Sequence, residues 1–523
     1  MKILDLGKMQ FLRIARLVTT PARRRSSLAA PATMGCPFHQ AESVQAPPPH
    51  TPTDHASVLP FDKIPASKGY PLVGNLPEYL YCGGATKLHE YFHQRHKQLG
   101  PIFREKLGSF DLVAISKDSY IREVCMHEGR NPKHYVPDAW VLYNKKKEIK
   151  RGLFFMDGDH WRNRRTTLNQ TLQPHFVDEQ SEVINEIAND VVRRWDSLVQ
   201  VSGGVVLPNL ETELYNWSTE TVGTLIFGRR MGFVLPPGSK NQMHDFVRQV
   251  QKIFKESAKL AVLPCELAMN LNLPVWRRFE KAADAALNMA RSFVEERISE
   301  INQVPDQKLP GVLPKLLKAK DISLNEIISI VADLIIAAAD TTSHATQWAL
   351  YSLAKNPECQ ERIVSELNRV VPKGESVNES HITKIPYLTN VIKETLRLYP
   401  IASFITRYLP KDVVIDRYHI PSGKLFFMSQ YTTGRDSERF RDPERFLPDR
   451  WENMKESDEY GCIPFGKGSR SCIGKKTAEL KMKLLLAKTV HAYHLEAKND
   501  VGISLRMITV PTKPIQLQLS RRT

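Results

Sequence analysis

The run Phe465-Gly466-Lys467-Gly468-Ser469-Arg470-Ser471-Cys472-Ile473-Gly474, leading into a helical pattern from Lys476, constrains this chain more than any other stretch. Glycines at 466, 468 and 474 let the backbone turn sharply and lie close against a flat ligand, where a Cβ would clash. Cys472 then stands at a helix start, where the backbone dipole and free N–H groups favour thiolate over thiol. A lone cysteine otherwise reads as a small buried hydrophobe. That reading serves for the cysteines at 36, 82, 125, 265, 359 and 462. No CxxC pair, zinc-ligand spacing or dense disulfide framework is present, which points to a reducing compartment.

With 523 residues, 42% hydrophobic and 25% charged, the chain can bury an extensive core, as one large domain or two. Nowhere do about 18 apolar residues run without a charge. Ile327 to Ala339 comes nearest, but Asp333 interrupts it and it is too short to span a bilayer. The first 30 residues carry Lys2, Lys8, Arg13, Arg16, Arg23, Arg24 and Arg25 against the single acid Asp5. Met9, Phe11, Leu12, Ile14, Leu17 and Val18 lie between the bases. This basic, acid-poor, amphipathic character describes a mitochondrial presequence over residues 1–35, with a disordered basic tail as the alternative. Arg13 and Arg16 break the apolar core that a secretory signal needs. A Pro-rich linker at 36–59, containing Pro47, Pro48, Pro49 and Pro52, leads to a fold starting near Pro60 and running to 523.

From there apolar spacings of three and four predict helices over Ala283–Glu300, Leu324–Lys355, Pro357–Val371 and Ile385–Leu398. Short β-rich runs at Ile102–Leu107, Leu112–Ile115, Val413–Ile415 and Phe426–Ser429 punctuate them. No internal repeat is visible. There is no GxGxxG followed by a ribose-binding acid, and no room for an added flavin domain.

Other patterns gain weight from their order along the chain. Glu394-Thr395-Leu396-Arg397 alone would be a surface i,i+3 pair worth tenths of a kcal/mol. Trp161-Arg162-Asn163-Arg164-Arg165 alone would be a helix on a basic surface. Ala337-Ala338-Ala339-Asp340-Thr341-Thr342 contains an N-cap-like signal, but inside a long apolar pattern.

Together with Asp442-Pro443-Glu444-Arg445-Phe446-Leu447-Pro448-Asp449-Arg450-Trp451, these motifs resemble those of the cytochrome P-450 family, from about Phe61 to the C-terminus. The resemblance implies a mainly α fold with small β-sheets in a single large domain. It also implies haem b (iron protoporphyrin IX) held through Cys472, and O2 as co-substrate. A thiolate trans to the oxygen site favours O–O cleavage. Phe465, Arg470, Trp161 and Arg165 become haem contacts, with Arg470 a candidate for a charge-assisted bond to a propionate. Glu394, Arg397 and Arg450 become the buried ion network under the haem-binding core. Asp340 and Thr341 become the carboxyl and hydroxyl that relay protons during oxygen cleavage. The family's usual glycine is replaced by Ala338, which puts the helix kink there in question.

Pro60-Phe61-Asp62-Lys63-Ile64-Pro65 and Lys68-Gly69-Tyr70-Pro71-Leu72-Val73-Gly74-Asn75 resemble the mitochondrial class. That class takes electrons from NADPH through a ferredoxin reductase and a small acidic 2Fe–2S ferredoxin. Lys393, Lys475 and Lys476 would offer the ferredoxin a positive proximal face, though lysines lack the bidentate fork of the arginines usual at the last two positions. Residues 137–144, 151–158 and 505–511 resemble arthropod ecdysteroid C2-hydroxylases. By family position the steroid pocket would be lined by Trp140, Leu142, Ala337, Ala338, Ile401, Ala402, Phe404, Ile508 and Thr509. Leu260 to Leu273, flanked by Lys259, Arg277 and Arg278, would rest peripherally on the matrix side of the inner mitochondrial membrane or pack over the substrate channel. No nucleic acid is implied. The alternatives are another mitochondrial sterol hydroxylase such as an ecdysteroid 22-hydroxylase, a P-450-fold isomerase, and a non-catalytic haem sensor; Asp340-Thr341 argues against the last two.

Overall fold

The computed structural model describes residues 58–522 apart from 109, 150–151, 173, 202–205, 235–242, 262, 304–308, 320 and 455–459. The presequence reading and nearly all of the linker lie outside the described residues. The chain is mainly helical, with four small sheets. One sheet has the order β1-β2-β6-β3, made of Ile102–Leu107, Phe110–Ile115, Leu425–Ser429 and Phe404–Tyr408. Its outer pairs are antiparallel and its central pair, β2 with β6, is parallel. Three two-stranded antiparallel sheets pair β4 (Val413–Ile415) with β5 (Tyr418–Ile420), β7 (Tyr493–Ala497) with β10 (Leu517–Arg521), and β8 (Ile503–Arg506) with β9 (Ile508–Pro511).

Six helices place the site: α1 (Asp138–Lys146), α2 (Gly158–Thr171), α3 (Leu210–Phe227), α4 (Leu324–Lys355), α5 (Pro386–Leu398) and α6 (Lys475–Ala492). α4 opens where Ser323 Oγ accepts the Glu326 N–H at 3.3 Å, satisfying one of the free donors of the first turn. It then runs 32 residues, buried almost throughout, with Trp348, Leu350 and Leu353 fully covered. Each such large apolar side chain contributes roughly 1.5–3 kcal/mol by leaving water. Its most extensive neighbour is α3, which starts at Asn209, whose side-chain oxygen accepts the Thr212 N–H. α3 buries Ser218, Thr219, Glu220 and Thr221 together with Leu214 and Trp217. The helices predicted at 324–355, 357–371 and 385–398 appear within a residue of their expected limits, whereas that at 283–300 is the C-terminal part of Pro274–Gln303.

Candidate active site

The loop before α6 is built by two left-handed glycines, Gly466 at φ 70° and Gly468 at φ 74°. A Cβ on Gly468 would stand 2.1 Å from a Glu128 carboxylate oxygen, so only glycine fits there. The Cys472 N–H donates to the Phe465 carbonyl at 2.7 Å and the Ser471 N–H to Gly468 at 3.1 Å, closing the loop on itself. Cys472 is exposed to solvent, yet burial by surrounding protein raises its thiol pKa, against the lowering effects of the Gly474 N–H, Arg165 and Lys475. The expectation that the helix start favours thiolate is outweighed in the free thiol by desolvation. A metal cation on the sulfur would take the proton's place and reverse that balance.

Beside this loop lies a concentration of buried positive charge. Arg470 donates to the carbonyls of Pro132, Leu153 and Met156 and to Asp157, and its guanidinium stacks 3.9 Å from the Trp161 ring centroid. Burial, and then its neighbours Arg407 and Arg165, pull Arg470 down to about 10, while Asp157 opposes. Arg165 donates to the Ser471 carbonyl at 2.8 Å, but its buried Nε has no partner. His134 likewise has a buried, unpartnered Nε2, and its pKa falls to about 3 through burial and then repulsion from Arg470 and Arg407. Arg407 on β3 donates to Glu128 at 2.6 Å. Three guanidiniums with one acid each at most, and two orphaned nitrogens, suit a ligand that brings its own anions. Haem carries two propionates, and these residues fit it: Cys472 would hold the iron, and Trp161, Arg165, Arg407, Arg470 and His134 the propionate edge. Arg407 and His134 were not singled out in the sequence.

On α5, Glu394 and Arg397 are a fully buried pair joined by two bonds of 2.8 Å. Glu394 also accepts from Arg450 Nε, Trp451 Nε1 and the Leu447 N–H. Arg397 donates further to the carbonyls of Gly434, Pro443 and Arg445. The surface-pair reading of this motif is excluded by zero side-chain exposure.

On α4, Asp333, Leu334, Ala337, Ala338 and Thr341 are partly or fully exposed in a stretch, Ile327 to Ala354, that is otherwise buried. Their spacing puts them on one face, so the helix presents a stripe of small residues to an accessible space. Thr341 donates its hydroxyl to the Ala337 carbonyl at 2.8 Å. Asp340 points away from that stripe into the core, 2% exposed, and burial, then Glu211, raises its pKa well above the carboxylate range. The Ala338 carbonyl accepts the Ser218 hydroxyl at 2.9 Å, and Ser218 accepts from the buried Lys481 ammonium at 3.0 Å. An α3–α6 bridge thus reaches α4 where the family glycine is missing.

Burial pulls Lys481 down to about 7. Charging it therefore costs the fold, fully below about pH 7 and not at all above the unfolded lysine value of about 10.4. Lys481→Met, which conserves volume, is expected to raise Tm at pH 6, equivalent to a few kcal/mol, with the gain vanishing towards pH 10. Melting curves at pH 6, 8 and 10 check this; a loss of stability at all three would refute it.

The expected pocket residues divide. Ala337, Ala338 and Ala402 are accessible, and Leu142 and Phe404 are half-buried. Ile401 and Ile508 are buried, at 8% and 9%. Trp140 departs from expectation: it is 3% exposed, packed by Phe155 and Phe279, and its N–H donates to Ser257 at 2.8 Å. Thr509 departs too, being wholly buried with its hydroxyl shared by Pro400 and Ser403, so it joins β9 to the segment after α5. Met507, two residues before it, has positive φ and is 36% exposed. Lys393, Lys475 and Lys476 are all exposed. In the 260–273 segment, Leu267 and Leu271 are exposed while Leu260, Cys265 and Ala268 are buried. No described helix is long and apolar enough to cross a membrane.

Comparison with known proteins agrees with this geometry. Residues 64–519 match the family described as "Cytochrome P450". The chain is 36% identical over 494 residues to "Cytochrome P450 315a1, mitochondrial" of Drosophila melanogaster, covering 91% of this chain and 92% of that protein. It is 30% identical over 503 residues to the mitochondrial cholesterol side-chain cleavage enzyme of Oncorhynchus mykiss, covering 95% and 97%. It is 28% identical over 463 residues to the mitochondrial 1,25-dihydroxyvitamin D(3) 24-hydroxylase of Rattus norvegicus, covering 88% and 89%. The chain belongs to the cytochrome P-450 family. It is a monooxygenase of the mitochondrial class.

Proposed function

We propose that this enzyme hydroxylates a steroid in mitochondria, and that its substrate is an ecdysteroid precursor lacking the hydroxyl at carbon 2. What carries the steroid reading is that relatives named for cholesterol and vitamin D cover nearly the whole folded chain. The carbon-2 assignment rests on the resemblance of residues 137–144, 151–158 and 505–511 to the ecdysteroid C2-hydroxylases. The accessible stripe at Ala337 and Ala338 agrees with both, since small side chains let a rigid, flat substrate edge approach α4. Exposed Leu267 and Leu271 support peripheral contact with the inner membrane. Exposed Lys393, Lys475 and Lys476 support docking of an acidic ferredoxin on the Cys472 side.

Haem, when bound, supplies dioxygen binding and the insertion of one oxygen atom into a C–H bond, the other leaving as water with two electrons and two protons consumed. The protein's own part is to hold the sulfur and deliver those protons. Asp340, which burial biases towards its protonated form, is suited to donate. Thr341 Oγ, half-exposed on the stripe, is suited to hold a hydrogen bond beside the reacting atoms.

Thr341→Ala is expected to bind substrate as the wild type does but to divert most electrons to hydrogen peroxide, lowering product per NADPH roughly 10-fold or more. Product and peroxide assays with ferredoxin, reductase and NADPH measure this. In the same assay wild-type protein should turn over 2-deoxyecdysteroids much faster than cholesterol or vitamin D. Equal rates would sink the carbon-2 assignment and leave the monooxygenase chemistry standing.

A further inference from the structure

One turn beyond Asp340, α4 carries a histidine that the reaction as described leaves unused. His344 is 3% exposed, with its ring edge-on to Tyr215 at 5.6 Å. Nδ1 lies 3.0 Å from the Asp340 carbonyl, which accepts only, so in the neutral ring this nitrogen carries the hydrogen. The same nitrogen is 3.6 Å from an Asp340 carboxylate oxygen. The opposite nitrogen, Nε2, is buried without a hydrogen-bond partner and faces Glu211 Oε1 at 3.9 Å. Glu211, in the first turn of α3, has a side chain 29% exposed and so meets water. The charged or titratable groups acting on this ring are Glu211 and Tyr215 from α3, Asp340 from its own helix, and Arg506 at the end of β8. Leaving an imidazole nitrogen buried without a hydrogen-bond partner is costly to the fold. Packing against Tyr215 alone gives no reason to keep it.

We propose that Glu211, His344 and Asp340 form an inward proton path, with His344 passing protons from water at Glu211 to the Asp340 carboxyl. In one passage the Glu211 O–H bond breaks as an N–H bond forms at Nε2. The Nδ1–H bond then breaks as an O–H bond forms on Asp340. One proton moves inward, no electrons move, and the ring is left as the Nε2–H tautomer; in the next passage it rotates, takes a proton from Glu211 at Nδ1 and turns back to give it to Asp340. Both gaps exceed a hydrogen bond by under 1 Å, within reach of a change of side-chain rotamer. This rests on the monooxygenase reading, which requires protons at a buried site, and it makes His344 a relay residue acting through Asp340.

The test uses the haem-loaded enzyme without substrate. The infrared carbonyl band of protonated Asp340, identified by its loss in Asp340→Asn, is followed after mixing into D2O. His344→Gln keeps a donor for the Asp340 carbonyl but cannot relay, and Glu211→Gln removes the outer acid at a side chain 29% exposed. Both should slow deuteration of that carboxyl at least tenfold, the double variant no more than His344→Gln alone. Loosened packing would speed exchange instead, so a merely structural role predicts the opposite sign. In turnover, both variants should lose coupling to peroxide while the substrate-induced spectral change is retained. Unchanged or faster exchange in both single variants would overturn the proposal. Because the exchange needs no steroid, it decides the path even if the substrate assignment fails.

Discussion

Cys472→Ala is expected to abolish the red-shifted Soret band of the reduced carbon monoxide complex and to lower monooxygenase turnover to background, about 1,000-fold or more, or ~4 kcal/mol of barrier. Cys472→His should bind haem but give a band without the red shift. No other described thiol can take its place. Cys265 and Cys359 are buried, and burial pushes Cys125 and Cys359 up to about 11 and Cys265 and Cys462 up to about 12. Cys472 alone among them is exposed. Its own thiol is also raised, which places the thiolate on the iron's account: the metal, more than the helix start, removes the proton. Apoprotein should therefore alkylate slowly at Cys472 at neutral pH despite its exposure. A variant at 472 that kept the shifted band would remove this sulfur from the iron.

Much of this was legible because the relevant residues obey short-range rules. Left-handed glycines at 466 and 468, the capped start of α4 and the Glu394–Arg397 spacing are local patterns that the fold then uses. What the sequence hid is long-range. α3 buries Ser218, Thr219, Glu220 and Thr221 all round, so it shows little apolar periodicity and was not predicted. Lys481 looks like an ordinary surface lysine until α3 closes over it at Ser218. The Glu211–His344 approach joins residues 133 positions apart, and no spacing rule reports it. Trp140 and Thr509 were placed on the pocket by family position, which fixes an element but not a rotamer. In this fold Ser257 and Pro400 claim their polar atoms.

Glu394→Ala is expected to cost about 3–5 kcal/mol and to yield little haem-loaded protein. Glu394 accepts from five donors: two nitrogens of Arg397, Arg450 Nε, Trp451 Nε1 and the Leu447 N–H. Removing the carboxylate strands a guanidinium of zero exposure, and a charge left buried without its partner costs far more than the pair contributes net. Arg397→Lys should fare nearly as badly. One ammonium cannot reach Glu394 and the three carbonyls of Gly434, Pro443 and Arg445 that the planar fork reaches together. These carbonyls lie in the segment leading towards the Cys472 loop, so the loss should appear as absent haem before it appears as unfolding. Glu394→Leu combined with Arg397→Met removes both charges and should be less destabilised than the two single losses summed, by 1 kcal/mol or more. Urea unfolding followed by tryptophan fluorescence, with haem content read separately from the Soret band, measures each term. Additive losses, or a Glu394→Ala protein within about 0.5 kcal/mol of wild type, would show that the pair is a bystander in the fold.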